Sequence, residues 1–144
     1  MYVTGDDPKT DFRGMGILGL LNLVHFASTY PKAASHVLSH SQHPQHGYDF
    51  AIVGINITSM AYHLMKDGTA KTQMFNISKG AMALHHFHHL YSYLFYEFDK
   101  YWMQCRPPSM MAFNTISSQF DKNIRSALAN PSNVFKVNVP VDII

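Results

Sequence analysis

Cysteine, charge and long apolar runs are all scarce in this chain. One cysteine among 144 residues, Cys105, excludes an intrachain disulfide and is typical of a reducing compartment. Charged residues make up 14%, against about 25% in an average globular protein. The net charge of +2 provides no strong field for nucleic acid. The longest apolar stretch, 15–27, is shorter than the roughly 20 residues that cross a bilayer. These shortages predict a soluble cytoplasmic protein with no nucleic-acid partner, and the polar start predicts no signal peptide.

Apolar and aromatic residues, by contrast, are abundant. They make up 47% and 13% of the chain, which is typical of a packed core. The length suits one domain, and no internal repeat appears. We therefore predict a single domain over 1–144, with a helical core over 6–130 and an extended tail over 131–144, where Pro140 argues against a regular strand.

The periodicity of the apolar residues predicts an all-α, compact bundle of about five helices. The first starts near Ile17, carries apolar residues on both sides, which predicts burial all round, and ends before Pro31. A second covers 32–40. A third, within 48–68, has β-branched residues typical of a strand but a helical period, and Gly68 suits its C-terminal cap. The fourth runs to "RPP" at 106–108, and the fifth starts after Ser109 and ends before Pro131.

Ten histidines raise the question of a metal site. Four of them crowd 85–89, but no H-E-x-x-H or E-x-x-H pair accompanies them. The histidines at 36, 40, 43 and 46 could join a site only through a tertiary contact. We therefore predict no metal and no cofactor. Cys105 lacks the surroundings of a nucleophile, and "GMGILG" lacks the spacing of a phosphate-binding loop.

An unusual group stands before the first helix: Asp11 and Arg13, followed by Gly14 and Gly16. From the residues alone the simplest interpretation is structural. Asp11 would cap the helix and pair with Arg13, and the glycines would permit close packing. An isolated surface pair of this kind usually contributes little.

The segment "DPKTDFRGMGILGL" resembles the signature P-x-T-D-x-R-G-x-G-x3-L of the ELMO domain, in its ELMOD (ELMO-domain-containing) branch. Residues 48–76 resemble the central helix of that family, and 91–102 and 110–114 resemble its later segments. The likeness covers about 6–128. The full family signature begins upstream with W-x3-G-(F/W)-Q-x3-P, whose tryptophan would fall before Met1, so we expect a chain that lacks the N-terminal helices of the domain or begins atypically.

The resemblance implies a GTPase-activating protein for Arf-family or Arf-like small GTPases, bound in their GTP form. Arg13 would be the catalytic residue, acting in trans, and the protein would need no nucleotide site of its own. The remaining signature residues would orient it or contact the partner: Pro8, Thr10, Asp11, Gly14 and Gly16. Any membrane association, at an organelle surface, would come through the partner.

Two alternatives stay open at this stage. ELMO proteins that act as scaffolds for DOCK-type exchange factors lack the R-G-x-G pattern, so its presence here favours activation over scaffolding. A non-catalytic adaptor that binds a small GTPase or another protein is nevertheless the main rival. A histidine-dependent metalloprotein is the third.

Overall fold

The computed structural model describes residues 16–66, 68–69 and 84–130. These residues form helices and no strand, which confirms the all-α prediction. A short 3₁₀ helix, Met110–Ala112, leads directly into the last α-helix. The α-helices in chain order are α1 (Gly16–Thr29), α2 (Pro31–Ser41), α3 (Phe50–Lys66), α4 (Leu84–Cys105) and α5 (Phe113–Ala129).

Helix α4 lies at the centre of the bundle and contacts each of the other four α-helices. Its apolar side chains form much of the core, although Leu84 at its start is exposed. Trp102, at the other end of α4, is fully buried, and its Nε1 donates a hydrogen bond to the carbonyl of His46 at 2.7 Å. The loop between α2 and α3 is thereby fixed against α4. The fully buried large side chains of α4 are Leu90, Tyr91, Leu94, Phe95, Phe98 and Trp102.

The helix ends lie where turn chemistry predicts them. Pro31 occupies the first turn of α2, where its missing N–H costs nothing. Asp49, which the sequence analysis did not single out, accepts a hydrogen bond from the Ile52 N–H and so caps α3. Gly68 follows α3 with a φ of 86°, a conformation that glycine adopts readily, and its N–H donates to the Met65 carbonyl. Ser109 accepts from Met111 and starts the 3₁₀ helix.

The prediction that α1 is buried all round is wrong. Its inner face packs on α3 and α4, but four large apolar side chains on the opposite face are exposed. They are spaced as i, i+3, i+4 and i+7, so they lie on one side of the helix. We call this surface the outer face of α1: Ile17, Leu20, Leu21 and Val24.

Two further findings concern the C-terminal tail and the search for a membrane-spanning helix. The predicted tail over 131–144 lies outside the described residues. Within the described ranges, no helix has the combination of length and hydropathy that crossing a bilayer requires.

Candidate functional site

The signature residues stand at the edge of what the structure describes. Pro8, Thr10, Asp11, Arg13 and Gly14 lie outside the described residues, and their positions and roles stay predictions. Gly16 is the first residue of α1. The described part of the candidate site is therefore α1 itself, together with the groups that hold it in place.

The inner face of α1 is anchored by a buried amide. Asn22 is fully buried, and its Nδ2 donates a hydrogen bond to Oγ1 of Thr58 on α3 at 3.0 Å. Its Oδ1 accepts from Nδ1 of His88 on α4. One side chain thus joins three helices. Buried polar groups are costly when unpaired, so this arrangement fixes both the rotation and the depth of α1.

Aromatic contacts continue the anchoring along α1. The ring of Phe26 is fully buried and lies 5.5 Å from that of Phe95 on α4, centroid to centroid. His25 stacks on His88 at 4.8 Å. Beyond the end of α1, the Tyr30 hydroxyl and Nδ1 of His89 share a hydrogen bond. The histidines His88 and His89, which the sequence places in the dense 85–89 cluster, tie α4 to the segment that follows the signature.

Two glycines lie in the contact between α1 and α3, and only one of them, Gly54, is needed for the close approach. A Cβ atom at Gly19 would lie 3.6 Å from Cγ1 of Ile55 and 3.9 Å from Oγ1 of Thr58, which is ordinary van der Waals contact. On the facing helix, a Cβ at Gly54 would lie 2.8 Å from Cδ2 of Leu23 and 3.0 Å from the Tyr91 hydroxyl. The α1–α3 contact is tight at Gly54 and retains room at Gly19.

The outer face of α1 is the main apolar surface beside the signature. Ile17 is 72% exposed, Val24 56% and Leu20 52%. A row of large apolar side chains facing water on a helix that is rigidly held is typical of a protein interaction surface. Helix α1 thus presents its polar anchor and Phe26 inward, and a second row of apolar side chains outward.

A second polar cluster lies between α2 and α4. Asp99 of α4 is fully buried; its Oδ1 accepts from the Tyr48 hydroxyl at 2.7 Å, and its Oδ2 lies 2.6 Å from Nδ1 of His40. The His36 ring lies one turn before His40 on α2, 4.2 Å away between centroids. Burial raises the pKa of Asp99, and the hydrogen bonds from Tyr48 and His40 partly offset the rise. Ligand atoms of His36, His40 and Asp99 all lie within 4.8 Å of one another.

Residues 4–117 match the model of the ELMO/CED-12 family, which is more than half of the chain. The chain belongs to the ELMO/CED-12 family. The matched range of this ELMO-type chain contains the signature, helices α1 to α4 and the start of α5.

The most similar relatives come from the ELMO-domain-containing branch. The chain is 52% identical to mouse ELMO domain-containing protein 2 over 124 residues, covering 86% of the chain and 42% of that protein. It is 46% identical to bovine ELMO domain-containing protein 1, covering 88% and 44%. With Dictyostelium discoideum ELMO domain-containing protein B the identity is 42%, covering 83% and 41%.

The chain thus spans about two fifths of the length of these ELMO-domain relatives. No significant match to a solved structure was found.

Several residues of the site escaped the sequence analysis. Asn22 and Thr58 are 36 positions apart, and Asn22 and His88 are 66 apart. The only sequence signal for Asn22 was its polar side chain in an otherwise apolar helix. The sequence analysis, which relied on the period of the apolar residues, did not use this signal. A polar residue in such a place indicates a buried hydrogen-bond partner from elsewhere in the chain.

Proposed function

We propose that this ELMO-type chain activates GTP hydrolysis by an Arf-family or Arf-like small GTPase, with Arg13 as the catalytic residue. The observation that carries the proposal is the signature over residues 8–20, whose last part belongs to the anchored helix α1, in a member of the ELMO/CED-12 family.

The chemistry calls for an arginine. Hydrolysis of GTP develops negative charge on the phosphoryl oxygens, and the planar guanidinium presents several N–H donors in one fork. Supplied in trans, such a residue is worth about 10³–10⁵ in rate, which corresponds to about 4–7 kcal/mol of barrier. The arginine has to be placed within a fraction of an ångström, so it needs a rigid support.

The described contacts supply the support that the proposal requires. Asn22 is bonded to Thr58 and His88 at full burial, which resists rotation of α1. Phe26 packs against Phe95 further along the helix. In our proposal Asp11 orients the guanidinium, and Gly14 and Gly16, which have no side chain, allow the backbone of the GTPase to come close.

The outer face of α1 completes the proposal as the contact surface for the GTPase. It begins at Ile17, within the signature and four positions after Arg13 in the sequence, and is apolar along about two turns. In our proposal, a GTPase that covers it holds its nucleotide within reach of Arg13. Which GTPase is the partner is determined by measuring hydrolysis with a panel of GTPases.

The decisive measurement is single-turnover GTP hydrolysis by a panel of Arf-family and Arf-like GTPases, with and without the chain. Arg13→Lys keeps the positive charge but loses the fork of donors, and we expect it to remove at least about 10³ of the acceleration. Arg106→Lys is the matched control. It makes the same chemical change at an exposed position after the end of α4. Equal acceleration by wild type and Arg13→Lys would exclude Arg13 from the mechanism.

A second pair of variants separates binding from catalysis. The double variant Leu20→Ser/Val24→Ser makes the outer face polar and should raise the chain concentration needed for half-maximal acceleration by about tenfold or more, since each exposed anchor lost from an interface weakens it by about 1 kcal/mol or more. Met111→Ser is its control, because Met111 is 92% exposed but lies on the 3₁₀ helix.

The outer face also favours one alternative, an adaptor that binds a partner without catalysis. In that case the GTPase would bind the wild-type chain and lose affinity for Leu20→Ser/Val24→Ser, while hydrolysis would stay at its intrinsic rate for wild type and Arg13→Lys alike. Acceleration by the wild type eliminates this alternative.

A further inference from the structure

The cluster between α2 and α4 has the composition of a metal site. His36 and His40 are four residues apart on α2, so both imidazoles lie on one side of the helix. Asp99 reaches the same place from α4, 59 positions after His40. The sequence does not indicate that Asp99 lies beside the two histidines, because this contact forms only when α2 packs on α4.

We propose that His36, His40 and Asp99 bind a Zn²⁺ ion. The ligand atoms of these residues lie within 4.8 Å of one another. Tetrahedral Zn²⁺, at about 2.0–2.2 Å from nitrogen and oxygen, holds its ligands roughly 3.4 Å apart. The two imidazoles are partly exposed and can rotate. The Asp99 carboxylate is held in place by a hydrogen bond from a buried neighbour.

Tyr48 is the neighbour that holds the Asp99 carboxylate in place. Its hydroxyl donates to Oδ1 of Asp99 at 2.7 Å, which leaves Oδ2 facing His40. A carboxylate held by a neighbour on one oxygen and free to ligate with the other is a recurring arrangement at metal sites. Tyr48 is itself buried, so this orientation does not depend on exposed side chains.

The donor set selects the type of metal. Two imidazole nitrogens and one carboxylate suit Zn²⁺ and other late divalent transition ions, whereas Mg²⁺ and Ca²⁺ require oxygen ligands. The partial exposure of the histidines leaves the fourth position to water. His40 Nδ1 and Asp99 Oδ2 are 2.6 Å apart and share a hydrogen bond, which a metal ion bound by both atoms would replace.

Metal binding also balances the charge of the cluster. Asp99 is fully buried, and a bound Zn²⁺ would neutralise the charge of its carboxylate. The ion would replace the hydrogen bond between His40 Nδ1 and Asp99 Oδ2. The ion would thereby join α2 to α4 and stabilise the folded chain in proportion to its occupancy.

The experiment uses the purified 144-residue chain, freed of metal with a chelator and titrated with ZnCl₂ at neutral pH against a chromophoric competitor. We expect a single Zn²⁺ to bind and the midpoint of thermal unfolding to rise with Zn²⁺. CoCl₂ in place of ZnCl₂ should give the intense visible absorption of a tetrahedral ion. His36→Gln should weaken Zn²⁺ binding by about tenfold or more, since even an outer-shell change costs that much.

The controls address the other histidines of the chain. His63→Gln changes a histidine on the exposed side of α3 whose Nδ1 is bonded to the Ser59 carbonyl of the same helix, and binding should be unchanged. His43→Gln tests the neighbouring loop in the same way. Zn²⁺ binding that is equal in wild type and His36→Gln, or that is lost only in His43→Gln, would overturn the proposal, as would a wild-type chain whose unfolding midpoint does not respond to Zn²⁺.

Asp99→Asn is the second site variant and should also lose binding. Because Asp99 is buried, its folding is checked by helical content before titration; His36→Gln, at a partly exposed position, decides the question if Asp99→Asn does not fold.

Discussion

Helices α1 and α5 carry similar apolar stripes, yet the two stripes face in opposite directions. On α5, Phe113, Phe120 and Leu128 lie on one face of the helix and are buried against the core. On α1, the apolar stripe is the outer face, 42–72% exposed. The inward side of α1 contains a glycine and an amide, Gly19 and Asn22, together with the buried Phe26.

The difference follows from what the other faces of each helix contain. In α5 the remaining positions are mostly polar or charged, so only one stripe can be buried. In α1 almost every position is apolar, and the period alone cannot choose between the sides. The choice is made by the hydrogen bonds of Asn22, which only the inner side satisfies, and by the close packing of Leu23 against Gly54 of α3.

The largest expected effect tests the two stripes directly. Phe120 is 3% exposed, with its ring 5.4 Å from that of Phe98. Phe120→Ala should lower the free energy of unfolding by about 3–5 kcal/mol, because it leaves a cavity. Leu20→Ala, on the outer face of α1, should change it by about 0.5 kcal/mol or less. Urea denaturation of both variants measures the contrast. A loss of about 2 kcal/mol or more for Leu20→Ala would mean that the outer face is covered within the folded chain.

A smaller effect is expected at the amide that orients α1. Asn22→Ala deprives Thr58 of a donor and His88 of an acceptor, and should cost about 1–3 kcal/mol of unfolding free energy. Asn114→Ala, an exposed position on α5, is the matched control and should stay within about 0.5 kcal/mol of wild type.

A double-mutant cycle shows whether the cost comes from the hydrogen bond itself. Combining Asn22→Ala with Thr58→Val should give a coupling energy of about 0.5–3 kcal/mol. Strictly additive effects in chemical denaturation would assign the loss to packing alone and would remove the hydrogen bond as the reason that α1 faces as it does.

The helices were predictable because each has a local cause. Pro31 and Gly68 mark ends that the structure confirms, and the periods of α3, α4 and α5 mark faces that the core does bury. Local sequence is enough for such features. The orientation of α1 was not predictable, because it depends on Thr58 and His88, which are distant in sequence.

The two candidate sites differ in the same respect, since one was predictable from local sequence and the other was not. The signature around Arg13 is a contiguous pattern, so it was found from the sequence, and its role stays a prediction. The His36–His40–Asp99 cluster joins residues of α2 and α4 and became visible only with the packing. A histidine pair at i, i+4 was the available signal, and without the carboxylate it did not indicate a metal.

The smallest expected effect concerns the room on the inner face of α1. A Cβ at Gly19 meets nothing closer than 3.6 Å, so Gly19→Ala should raise the unfolding free energy by about 0.4–1 kcal/mol by restricting the unfolded chain. On the facing helix, Gly54→Ala should lower it by about 1 kcal/mol or more, since the new Cβ would lie 2.8 Å from Leu23 and 3.0 Å from the buried Tyr91 hydroxyl. Thermal and urea denaturation should therefore show opposite signs for the same chemical change across one interface. If both variants lost stability, α1 would be held by shape along its whole inner face, as α5 is, and the hydrogen bonds of Asn22 would no longer be needed to explain its orientation.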